Sequence, residues 1–162
     1  IHSRLIARNV AEHLALDAEG IRKLMQASHD WFGENQLPPP TLYVPPAWAL
    51  GRIPRKDLAG LPYTRIEVLR GLCLPKSGQF RSLPMIGFEA DTPFRAGAVR
   101  IWNAFQLTRA RLSGRPLRIG LHPRDFHLRM AGNLRQILAR PFVWQNYGEA
   151  EQFVTKGISA AT

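Results

Sequence analysis

Six consecutive residues, Leu121-His122-Pro123-Arg124-Asp125-Phe126, hold the side chains best suited to chemistry in this chain. They close an apolar run, Leu117-Arg118-Ile119-Gly120-Leu121, that reads as a short buried strand. A helical pattern follows. A histidine and an aspartate three residues apart, at the carboxyl end of a strand in an α/β pattern, stand where such folds place their reactive groups. Imidazole moves protons near neutral pH, so His122 is the candidate acid/base. Asp125 is read as the cap of the last helix and as the group that orients His122.

A second segment has the same form. Tyr43-Val44-Pro45-Pro46-Ala47-Trp48 ends an extended apolar stretch with prolines, so the backbone leaves at a fixed angle. If the two strands lie parallel in one sheet, both bends fall at its same end. Trp48 then forms an apolar wall beside His122, and Tyr43 and Pro46 line it. The plain alternatives are that Trp48 fills core and that Asp125 only caps. Arg124 and His127 read as surface residues and His29 as structural, and His13 has no partner in register. Glycine-rich nucleotide loops, His-Glu-x-x-His and Gly-x-Ser-x-Gly are all absent from the sequence.

These residues need a scaffold, and the chain has enough material for one. It has 162 residues, 45% of them apolar and 21% charged, which is ordinary for one globular domain. The expectation is a single α/β domain over residues 1–162. Asp17 caps a helix over about residues 18–33, on which Ile21, Leu24, Met25 and Phe32 recur at helical spacing. Short strands are expected at 41–44, 64–69, 72–75, 82–88, 117–121 and 141–144. A helix carries Ala98, Ile101, Trp102, Phe105, Thr108 and Leu112 on one apolar, inward face. The last long helix is expected over about 126–139, with a terminal helix over 147–157. Strands separated by helices should pair in parallel.

The charge is +10, from 22 basic and 12 acidic residues. The arginines are scattered singly and no basic run of five or six occurs, which argues against nucleic acid. Charge alone equally permits an anionic substrate or a membrane-surface role. No stretch is long and apolar enough for a transmembrane segment. Cys73 is the single cysteine, so no internal disulfide can form, and it reads as a strand residue. That usage makes a cytoplasmic location the default. The chain starts at Ile1 rather than Met, which leaves a periplasmic or extracellular location open.

Taken together, Val44-Pro45-Pro46-Ala47-Trp48, the strand-like Tyr63-Thr64-Arg65 and Leu117-Arg118-Ile119-Gly120-Leu121-His122-Pro123-Arg124-Asp125 resemble a bacterial family of predicted polysaccharide deacetylases. These are similar to divergent members of carbohydrate esterase family 4. The resemblance covers roughly residues 4–147. It implies a distorted (β/α) barrel and a hydrolase that removes acetyl groups from a carbohydrate substrate. It also implies a divalent metal, usually zinc, held by one Asp and two His. His122 matches the family histidine that protonates the leaving group. Pro45-Pro46-Ala47-Trp48 matches the wall of its groove, with Val44 where many members carry Arg. The family's Asp-Asp pair occurs nowhere in this chain, and His2 is the candidate for one metal ligand. The chain then reads either as the carboxyl-terminal part of a longer barrel, incomplete at its N-terminus, or as a degenerate member that binds sugar without cutting it.

Overall fold

Asp17 begins the first helix as expected. Its carboxylate accepts a hydrogen bond from the Gly20 backbone N–H at 2.8 Å, satisfying one of the amides a helix start leaves open. The helix, α1 (Ala18–Glu34), buries Ile21 and Met25. These observations come from a computed structural model, which describes residues 12–149. The chain divides between Ser82 and Leu83 into two compact units.

In the first unit, four strands form one sheet in the order β1-β2-β3-β4. They are β1 (Leu42–Tyr43), β2 (Arg65–Val68), β3 (Gly71–Leu74) and β4 (Gln79–Ser82). Between β1 and β2 lie a 3-10 turn, Pro46–Trp48, and a one-turn helix, α2 (Arg55–Leu58). β1 and β2 run parallel, with Leu42 opposite Arg65 and Tyr43 opposite Ile66. The other two pairings are antiparallel. Gly71 lets β3 lie close against β4: a Cβ there would lie 2.0 Å from the Arg81 carbonyl oxygen. Ile21 and Met25 pack with Tyr43, Leu58, Tyr63 and Ile66 to form the core.

The second unit has a separate two-stranded sheet. β5 (Met85–Ile86) and β6 (Arg118–Ile119) are parallel, Met85 opposite Arg118 and Ile86 opposite Ile119. The long helix α3 (Pro93–Ser113) connects them, with Thr92 as its cap and Gly114 ending it in the left-handed conformation at φ 62°. A 3-10 turn (Asp125–His127) and α4 (Ala131–Leu138) follow β6. Ile86, Phe88, Ala96, Met130, Leu134 and Ile137 build this core.

The barrel expectation is overturned. Among the described residues the strands form one mixed four-stranded sheet and one parallel pair, with no closed barrel. A barrel needs each strand returned by a crossover helix. Here Leu69-Arg70 and the turn at 75–78 instead fold β2, β3 and β4 into an antiparallel meander. The parallel pairings expected across the helical connections are present at β1–β2 and β5–β6.

Other boundaries differ from expectation. The stretch 82–88 splits at Leu83-Pro84 into the end of β4 and the short β5, and no strand forms at 141–144. The last helix starts at Ala131, not near 126, because the backbone at Leu128 is extended. The helix foreseen over 147–157 falls mostly outside the described residues.

The most consequential departure is at α3, whose expected inward face points outward. Ala96, Asn103 and Gln106 are buried, whereas Phe94, Ile101, Phe105 and Leu112 are exposed. The reason lies at the edge of β5 that faces away from β6. The Gly87 N–H donates to Asn103 Oδ1 (3.1 Å), and Asn103 Nδ2 donates to the Gly87 carbonyl (2.7 Å). Trp102 Nε1 donates to the Met85 carbonyl (3.0 Å). Strand groups must be paired when buried, and here helix side chains pair them.

Candidate functional site

The carboxyl ends of β5 and β6 emerge together because the strands are parallel and in register. From β6 the chain enters His122-Pro123-Arg124-Asp125, a tight turn in which the Asp125 N–H donates to the His122 carbonyl at 2.9 Å. The Asp125 carboxylate turns back, and its Oδ2 accepts from the His122 backbone N–H at 2.8 Å. These reciprocal bonds lock the turn. The imidazole itself is exposed, and its Nδ1 accepts from the Arg124 N–H at 3.4 Å. His122 and Asp125 are therefore brought together, but the carboxylate grips the backbone of His122 rather than its ring. Asp125 also lies six residues before α4, so it does not cap that helix.

Asp125 is 1% exposed, and its Oδ1 has no hydrogen-bond partner among the described residues. Burial pushes its carboxyl above the ordinary aspartate range. The hydrogen bond from the His122 N–H and the charge of His122 oppose that shift, while the Glu89 carboxylate adds to it. Glu89 follows β5, so it stands at the same sheet end as His122 and contributes an exposed acid to the site. The sequence reading passed over Glu89. Its signal was a carboxylate three residues beyond the apolar Met85-Ile86 pair. Arg129 joins the two loops: its N–H donates to the Ala90 carbonyl and its Nε to the Asp91 carbonyl, both at 3.1 Å.

A raised carboxyl pKa has a definite sign in stability. The folded unit prefers protonated Asp125, so this group's contribution is full below the ordinary aspartate value and is lost as pH rises through the raised one. Asp125→Asn retains an acceptor for the His122 N–H and cannot ionise. We expect the wild-type melting temperature, relative to that of Asp125→Asn, to fall as the pH rises above the ordinary aspartate range. Parallel melting curves would contradict this.

The other predicted residues lie in the first unit. Tyr43 is buried, with its hydroxyl 2.8 Å from His13 Nε2, while His13 Nδ1 lies 3.1 Å from the Leu50 carbonyl oxygen. His13 thus has a partner thirty residues away that spacing did not reveal. Pro46 and Trp48 are half-buried in the turn after β1. Trp48 donates its backbone N–H to the Pro45 carbonyl (2.8 Å) and its Nε1 to Glu67 Oε1 (3.1 Å). Ala47 and Trp48 both have positive φ, 51° and 54°. Such backbone is costly for non-glycine residues and needs support, which the Glu67 bond and the buried Pro45 provide. The expectation that this bend and His122 end strands of one sheet is corrected, since β1 and β6 belong to different sheets.

Burial raises the Cys73 thiol pKa against the opposing charge of Arg55, which disfavours the reactive thiolate. His29 lies edge-on to Tyr63. Among the described residues, no group of three or more His, Cys, Asp or Glu could hold a metal ion. His2 lies outside them. The described side chains therefore do not fit the zinc that the resemblance implies. Among the described residues no helix is long and apolar enough to cross a membrane. No family model matches this chain, and neither a curated protein nor a solved structure does.

Proposed function

We propose that this protein hydrolyses acetyl groups from an acetylated carbohydrate: water attacks the acetyl carbonyl, the bond to the sugar nitrogen or oxygen breaks to release acetate, and His122 delivers the proton that the leaving amine or alkoxide takes up. The observation that carries this reading is the exposed imidazole held at the carboxyl end of a parallel strand. Its turn is locked by a buried carboxylate, so the ring is anchored without being covered. A general acid needs this combination of fixed backbone and open access. Asp125 is a positioning residue, because it acts through the backbone of His122. Glu89 is the acid at the same strand end. The reading draws on the motifs and this turn, not on a barrel.

A second reading is favoured by the bend after β1. Trp48 is held through its Nε1 on a backbone of positive φ, an arrangement that fixes an aromatic surface against which a sugar ring can stack. In that reading the protein binds carbohydrate without cleaving it.

Incubation of the purified protein with N-acetylglucosamine oligomers and with acetylated xylan separates the two. Acetate release supports the hydrolase. Retention of either saccharide without acetate release supports the binding domain. Neither release nor retention overturns both.

A further inference from the structure

The outward face of α3 is unlike an ordinary solvated helix surface. Phe94, Ile101, Phe105 and Leu112 are 83%, 74%, 61% and 85% exposed. At about 100° per residue these four, with Ala98 and Thr108, fall within an arc of roughly 80° along a helix about 30 Å long. Asn103 and Gln106 hold the opposite face in the unit's own core. Arginines follow on both sides of the row, Arg109 and Arg95 about 20° and 60° beyond one edge and Arg111 and Arg100 about 60° and 80° beyond the other. No acidic residue occurs between Pro93 and Ser113. Asp91, just before the helix, pairs with Arg95 at 3.6 Å.

We propose that α3 is a membrane-surface helix, which lays its Phe-Ile-Phe-Leu row into the acyl boundary of an anionic bilayer. The exposed Arg100 and Arg111 would contact the lipid headgroups. Charge complementarity selects this occupant. A row of large apolar side chains edged by cations, with no anion among them, matches a negatively charged layer that is apolar beneath. The +10 charge of the whole chain has the same sign. A second copy of the helix fits poorly, because two-fold pairing would set arginine flanks against each other. The row also projects along the whole helix, with its most exposed members at the two ends. That suits a fluid acyl layer better than a rigid protein partner, whose contacts gather at a central cluster. The proposal is independent of the carbohydrate reading.

Co-sedimentation of the full chain with vesicles tests it. One set is phosphatidylcholine alone, and the other contains roughly one-third phosphatidylserine. We expect at least about tenfold tighter binding to the anionic set, decreasing with salt. Ile101→Ser with Phe105→Ser should weaken binding on the order of tenfold per residue. Arg100→Gln and Arg111→Gln should each weaken it about fivefold. These side chains are exposed, so folding should be retained. If the double variant has an altered circular dichroism spectrum, Leu112→Ser at the helix end should show about a tenfold loss instead. Equal binding to both vesicle types, or binding unaffected by these changes, overturns the proposal. So does a dimer abolished by Phe105→Ser, or capture of an acidic helical peptide, in the absence of vesicle binding.

Discussion

His122→Ala lowers kcat for acetate release by about 10²–10⁴-fold, the range that a positioned general acid contributes. Its effect on stability is expected to stay within about 0.5 kcal/mol, because the imidazole is exposed and the turn is held by backbone and Asp125 atoms. These two readouts separate a catalytic histidine from a packed one. KM should change little, since the ring acts on the leaving group in the transition state rather than on ground-state binding. Unchanged kcat in His122→Ala would remove the histidine from the chemistry.

Asn103→Ala has the largest expected effect on stability. The amide is 7% exposed and pairs both the N–H and the carbonyl of Gly87. Truncation leaves two backbone groups at the edge of β5 without those partners. At about 1–3 kcal/mol for each unsatisfied buried group, the loss of both is about 2–6 kcal/mol. That is a large part of the ~5–15 kcal/mol by which a domain is stable. Urea unfolding followed by tryptophan fluorescence measures it, because Trp102 lies on the same helix and donates to Met85. Asn103→Asp should also destabilise, since a carboxylate keeps the acceptor but cannot donate to the Gly87 carbonyl. The defect should lessen at acid pH, where the carboxyl regains a donor. A loss below about 1 kcal/mol in Asn103→Ala would mean that the amide does not hold the orientation of α3.

Local structure was legible wherever neighbours in sequence are also neighbours in space. Asp17 caps α1 through an N–H three residues away, and Gly114 ends α3. The parallel pairings follow from connections too long for a hairpin. His122 and Asp125 were recognisable as a unit, because a turn joins them. What Asp125 grips was not, since three-residue spacing serves a ring contact or a backbone contact equally well.

The sequence by itself determined the start of α1 at Asp17, the end of α3 at Gly114, the parallel crossings and the apolar row on α3. Tertiary structure alone decided that the strands divide between two sheets, that His13 meets Tyr43, that Glu89 joins the His122 turn, and that the row on α3 faces solvent. The physical reason is that periodicity identifies a face but not its neighbour. At β5, buried backbone N–H and C=O groups required partners. Asn103 and Trp102 met that demand while Ala96, Val99 and Leu107 of the same helix packed into the core, so the hydrogen-bonding face turned inward with them.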